Sequence, residues 1–355
     1  MDLENHGRRR FIRQLGTVTA LGALGGSLFG CDDKPSSKTG APAVIGQRSD
    51  QVVPFRYPDN PTFDLVYVAD SLGYFEGTRA RPQYVGKVAA PQIIPLVGTG
   101  ELDFGTRMVP LVISAIASGL DLKVVAAGGK TLQEAPHMKY FVRDDSGIRT
   151  PKDLEGKTVG FNSFGACAEF VTKKYLRQQG VDVDRINWVV VPDVQAEQTL
   201  ATGNIDLAII HPPTSGSAEH NPALRKLWSD FDLDEGLGGM APYSAHGRFL
   251  RDHPEAARDV VQALAKAANW VNGHPDDARK ITAKRLGMKL ELVERFAYVD
   301  DLVITEPPIQ YYIDILEHEG KLKPGAVQVK DVYTNAFNPF VRGTASRGTA
   351  SRGTA

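Results

Sequence analysis

Cysteine is nearly absent from this 355-residue chain, which holds only Cys31 and Cys167. Two such residues do not make the paired spacing of a structural zinc site. An excess of one charge is also missing, with 41 basic against 42 acidic side chains. That balance argues against nucleic acid, which asks for a basic patch or stripe. Long apolar runs are missing too: residues 15–29 are diluted by Gly16, Gly22, Gly25 and Gly26. A permanent membrane helix needs about 20 apolar residues. Gly128-Gly129-Lys130 lacks the rest of a phosphate-binding loop. No Asp/Glu dyad, Ser/His/Asp arrangement or metal-ligand spacing stands out, so no catalytic residue, metal or cofactor is expected.

What is present begins with Arg8-Arg9-Arg10-Phe11-Ile12-Arg13 ahead of the diluted run, which marks residues 1–30 as an export signal. Paired arginines and a glycine-rich core resemble a twin-arginine leader, with an ordinary secretory leader as the alternative. Leu28-Phe29-Gly30-Cys31 resembles a lipobox. Acylated Cys31 would be the new N-terminus and would anchor the protein to the outer face of the cytoplasmic membrane. The alternative is a soluble periplasmic protein whose Cys31 is cut away or left free. Lipidation of Cys31 would rule out an intramolecular disulfide. Removing the leader takes four basic residues (Arg8, Arg9, Arg10, Arg13) and two acidic ones (Asp2, Glu4), for a formal charge of −3. Residues 31–51, rich in Ser, Pro, Gly, Lys and Ala, read as a flexible tether. Residues 341–355 read as a disordered tail, because the Arg-Gly-Thr-Ala-Ser repeat from Arg342 has no apolar residue large enough to pack.

The roughly 290 residues between exceed one typical core, so two α/β lobes are expected. A strand is expected at 52–57, and Leu65, Val66, Val68, Ala69 and Leu72 then recur at helical spacing. A helix at 91–97, a short strand ending at Phe104 and an apolar strand at 122–127 follow. Residues 133–137 read as a crossover into a second lobe with strands at 138–142, 158–162 and 188–191, a helix at 195–202 and a last strand ending at Ile210. The chain is expected to return at 241–243. Lobe one is thus assigned residues 52–137 and 241–340, and lobe two residues 138–240. Pro254 opens the clearest helix, 254–271, with Ala257, Val260, Val261, Leu264, Ala268 and Val271 on one face. Further helices are expected at 290–297 and 309–319, the second after a reset at Pro307-Pro308.

Loops at the carboxyl ends of such strands are where open α/β sheets bind ligands. The first holds Asn60, Thr62 and Phe63, where Phe63 touches ligand or anchors the following helix. Tyr74 and Phe75 read as core. The next holds Thr106 and Arg107, a guanidinium fork suited to carboxylate, sulfonate or phosphate oxygens, or else a solvated surface arginine. In the second lobe Asn162, Ser163, Phe164, Gly165 and Ala166 join a strand to a helix that stops at Gly180. Free N–H groups there favour an anion; the plainer alternative is that Ser163 is only an N-cap. His211 follows Ile210 as a hydrogen-bond donor to ligand or a structural histidine. Phe161 and Tyr243 join Phe63 and Phe164 as candidates to floor an aromatic ring.

Residues 148–160, Ile-Arg-Thr-Pro-Lys-Asp-Leu-Glu-Gly-Lys-Thr-Val-Gly, resemble a motif of ABC-importer solute-binding proteins, in the branch that binds aliphatic sulfonates, nitrate, taurine and thiamine-pyrimidine precursors. Gly73-Tyr74-Phe75, the Gly100 to Phe104 segment, its echo at Gly203 to Asp206 and Gly320-Lys321-Leu322 fit the same family. The resemblance implies a type II periplasmic binding protein fold, two lobes joined by crossovers that close on a ligand. It implies a monomer that captures a small organic anion, a sulfonate or carboxylate, and docks on an inner-membrane ABC permease. Alternatives are a binder of a thiamine-pyrimidine precursor or a ligand-sensing lipoprotein. An enzyme on the scaffold is the remotest, because family synthases use a cysteine-rich motif and the folded body here has Cys167 alone.

Overall fold

A computed structural model describes residues 51–60, 62–234 and 241–341; the export signal, Cys31, the tether up to residue 50 and the tail from residue 342 lie outside the described residues. No helix among the described residues is long and apolar enough to cross a membrane.

Strand Val53–Tyr57 pairs in parallel with Ala80–Tyr84 and points Phe55 and Tyr57 inward, both fully buried. Phe55 meets Phe104 edge-on at 5.3 Å, which ties this pair to a three-stranded sheet. That sheet runs Phe104–Thr106, Tyr243–His246, Leu122–Ala126, with the middle strand antiparallel to both neighbours. The chain therefore leaves the first lobe after Leu122–Ala126 and returns to fill the sheet centre. Outgoing and returning segments touch at Gly128, where a β-carbon would sit 1.8 Å from the Ala241 carbonyl oxygen. Only glycine allows so close an approach.

Helix Pro254–Gly273 backs this lobe, and the six stripe residues Ala257, Val260, Val261, Leu264, Ala268 and Val271 are all buried. Each Val or Leu taken from water there contributes about 1.5–3 kcal/mol. Tyr74 and Phe75 pack with the same core.

The second lobe is a five-stranded sheet in the order Leu224–Ser229, Lys139–Arg143, Leu207–Ile210, Thr158–Phe161, Asn187–Val190. The last three strands are parallel, and Lys139–Arg143 is antiparallel to both its neighbours. Consequently the carboxyl ends of the three parallel strands and the start of Lys139–Arg143 share one edge. Helix Cys167–Gln178 leaves that edge, and Gly160 lets the sheet pack on Ile205, whose Cδ1 would lie 2.6 Å from an added β-carbon.

Four local expectations differ. The strand placed before Phe104 begins there instead. Residues 290–297 form a single 3-10 turn, Leu290–Leu292, and then strand Ala297–Tyr298, which pairs with Gly129–Lys130. A helix not expected from the sequence spans Pro275–Leu286. It buries little beyond Ala278, Thr282 and Ala283, too thin a stripe to read; its charges do fit a helix, with Asp276 and Asp277 in the first turn and Lys284 and Arg285 in the last. Pro307 and Pro308 open helix Pro307–His318 rather than precede it, as first-turn positions allow.

Candidate functional site

A cavity of about 480 Å³ lies where the strand ends of both lobes meet. Its wall includes Asn60, Thr62, Phe63, Thr106, Arg107, Asn162, Ala166, His211 and Tyr243. Ser163, Phe164 and Gly165 stand outside it, as does the fully buried Phe161. The helix starts at Cys167 with Ala166 as its N-cap, so Ser163 does not cap it. Phe164 is 53% exposed and meets Phe161 edge-on at 4.9 Å. The Gly165 N–H donates to Glu169 Oε2 at 2.7 Å, and Lys173 donates to Glu169 Oε1 at 2.7 Å. The protein thus supplies its own carboxylate at the helix start, where an anionic ligand was expected to bind.

On the first-lobe side several polar groups are committed to bracing. The Asn60 amide exchanges two hydrogen bonds with the Val88 backbone, at 2.8 and 2.9 Å. Arg285 donates to Asp59 at 2.8 Å and to the Asn60 carbonyl at 3.0 Å, fixing the same loop. Tyr243 accepts from the Leu65 N–H at 3.0 Å, and Thr106 donates to the Ala241 carbonyl at 3.1 Å. Asp64 caps helix Leu65–Ser71 through the Val66 N–H at 2.8 Å. Burial raises Asp64 to about 6, against the lowering influence of the Arg285 charge. Phe63 stacks on Phe296 at 4.8 Å and 22°, making an apolar wall.

Arg107 is different. Its Nε is buried with no hydrogen-bond partner among the described residues. Burial lowers its pKa, partly opposed by Cys167 and Asp193. A cation held in this way can pair with an anion.

The second-lobe side carries a cluster that no local pattern revealed. Asn162, Asp193 and His211 follow the three parallel strands, and the antiparallel register Lys139↔Ile210 brings His137 beside them. His211 Nδ1 lies 2.9 Å from Asp193 Oδ1, and Asn162 Nδ2 lies 3.1 Å from Asp193 Oδ2. Burial disfavours charge on His211, but Asp193 overcomes it by charge and hydrogen bond and raises the imidazole to about 10. His137 is pushed down to about 3 by burial and by the neighbouring His211 charge. Between the two rings sits Cys167, its Sγ 3.8 Å from His137 Nε2 and 3.9 Å from His211 Nε2. Sequence reasoning had set this cysteine aside as solitary and read His137 as connector; their shared signal was position, next to strand ends at one sheet edge.

The family model described as NMT1/THI5 like matches residues 60–278. A protein of Brucella abortus (strain 2308), named provisionally as a binding protein, is 24% identical over 197 residues, 55% of this chain and 59% of that one. A 4-amino-5-hydroxymethyl-2-methylpyrimidine phosphate synthase of Candida albicans (strain WO-1) is 24% identical over 229 residues, 60% of this chain and 64% of the enzyme. The chain therefore spans less than two thirds of either relative's length. The periplasmic aliphatic sulphonate binding protein SsuA from Escherichia coli superposes with a TM-score of 0.64 at 20% identity, over 80% of this chain and 92% of that one. The shared fold is that of type II periplasmic binding proteins, the solute-binding fold of ABC import systems.

Proposed function

Because this chain belongs to the NMT1/THI5-like family, we propose that it is the extracytoplasmic solute-binding component of an ABC importer, capturing a small organic anion by closure of its lobes. The observation that carries the reading is Arg107, a half-buried arginine whose buried Nε has no partner, in a cavity walled by both lobes. A sulfonate or carboxylate head pairs with Arg107, and an alkyl or aryl body lies against Phe63 and Phe296. Ligand contacts from both sides exist together only in the closed form, so ligand favours closure. On this reading the protein is a periplasmic monomer, lipid-anchored through Cys31, with a membrane permease as partner.

Thermal unfolding against alkyl and aryl sulfonates, matching carboxylates, nitrate and pyrimidine precursors tests it. A ligand at about 100 times its dissociation constant adds about 2.7 kcal/mol. Anions should stabilise and neutral analogues should not; Arg107→Ala should weaken the anion at least tenfold, about 1.4 kcal/mol. Stabilisation by a neutral pyrimidine alone would replace the ligand class, and unchanged affinity in Arg107→Ala would remove Arg107 from the site.

One observation favours a second reading, thiol chemistry on the same scaffold: Cys167 faces His211, which Asp193 orients. That is the order of nucleophile, base and orienting group. Under it, aryl sulfinates, sulfonates or carboxylates incubated with the protein would be converted, and Cys167→Ser would stop conversion. Recovery of the captured compound unchanged sets this reading aside.

A further inference from the structure

We propose that His137, Cys167 and His211 form a site for one soft or borderline metal ion, zinc foremost, with a fourth coordination position open to the cavity. This goes beyond solute capture and does not depend on it. The three ligating atoms lie within 4.8 Å of one another. In a tetrahedral zinc site with ordinary bond lengths, sulfur and nitrogen stand about 3.6 Å apart; here the two separations are 3.8 and 3.9 Å. The rings meet edge-on at 5.0 Å and 71°, with both Nε2 atoms turned to one sulfur. One cation can take a lone pair from the sulfur and from each Nε2 atom once the thiol and the His211 imidazolium give up their protons.

The surroundings fit the same assignment. Asp193 holds His211 Nδ1 at 2.9 Å and is itself held by Asn162 at 3.1 Å, so the Nδ1 proton stays in place and the metal takes Nε2 in exchange for the proton there. A carboxylate behind a ligating histidine is the usual outer support of a metal site. One thiolate and two imidazoles select zinc over magnesium or calcium. Three protein ligands also leave a position for an exchangeable group. That position faces the cavity that Arg107 shares, so a captured carboxylate or sulfonate reaches the metal and the guanidinium together.

The test takes the full chain, reduced and stripped of metal, and titrates it with Zn2+ against a chromophoric chelator and separately with Co2+. One zinc should bind. Cobalt should give a thiolate-to-metal charge-transfer band with the intense visible absorption of a four-coordinate ion, and Cys167→Ser should abolish the band. Asp193→Asn should weaken zinc by about 10- to 100-fold, while His220→Ala, outside the cluster, should not change it. On the unaltered protein, zinc should also protect Cys167 from iodoacetamide, read peptide by peptide so that Cys31 is counted apart. A band that survives Cys167→Ser, or alkylation of Cys167 at one rate with and without zinc, overturns the proposal. The cobalt band and the protection of Cys167 do not read anion capture, so their failure leaves the capture reading intact, and failure of the anion panel leaves the metal site intact.

Discussion

Glu169 reaches back along its own helix and takes the Gly165 N–H at 2.7 Å, a side-chain cap donated from inside the helix rather than from in front of it. Lys173 neutralises the carboxylate from one turn further on. Glu169→Ala should therefore lower stability by about 1–3 kcal/mol, since a half-buried lysine and a helix-start N–H both lose their partner. Glu169→Gln should recover the cap but not the ion pair. Urea midpoints of the two variants check this, and equal losses would show that the cap contributes nothing.

Arg107 costs the empty protein stability because its buried Nε has no partner and burial disfavours its charge. Arg107→Met should raise the unfolding midpoint of the unliganded protein, by about 1–4 kcal/mol on the pattern of buried charges replaced by apolar groups. The same variant should show no stabilisation by anions. A midpoint below that of the parent would mean that the guanidinium is satisfied in the empty cavity.

Asp64 carries a pH signature. Its folded value of about 6 lies above the ordinary 3.8, so between those values the folded state keeps a proton that the unfolded chain releases. Stability contributed by this group is present at low pH and is lost as pH rises through that window, by on the order of 2–3 kcal/mol. Asp64→Asn retains a capping oxygen without the charge. Its stability relative to the parent should increase between pH 4 and pH 7; a constant difference would place the Asp64 titration elsewhere.

Glu294, in the segment that leads into Ala297–Tyr298 of the first lobe, bonds to Lys139 and Ser215 of the second. Lys139 is buried and keeps only Glu219, at 2.8 Å, when Glu294 is removed. Glu294→Ala should cost about 1–3 kcal/mol and enlarge the radius of gyration of the unliganded protein in X-ray scattering. A variant as compact as the parent would show that this bridge does not hold the lobes together.

The sequence made the architecture legible wherever burial is periodic. The Ala257 to Val271 stripe, the strand Val53–Tyr57 and the run Leu207–Ile210 each bury enough apolar surface to mark themselves. Helix Pro275–Leu286 escaped because it lies on the surface and is specified by its charged ends. At the site, Arg107 was legible because a strand end positions it without help from elsewhere. His137 and Cys167 were not, because their meeting depends on an antiparallel register, Lys139 opposite Ile210, that no local pattern encodes. Ser163, Phe164 and Gly165 are expected at the ligand because the whole junction from Asn162 to Ala166 reads as the start of a helix. The helix begins at Cys167, and of that junction only its two ends, Asn162 and Ala166, line the cavity.

The touching of Gly128 and Ala241 makes the two connections between the lobes a single axle rather than two separate straps. Thr106, on the cavity wall, is bonded to that axle through the Ala241 carbonyl. Any side chain at position 128 would push on the Ala241 carbonyl and so on the hydrogen-bond partner of Thr106. The cavity wall can thus be disturbed from a residue that does not line it.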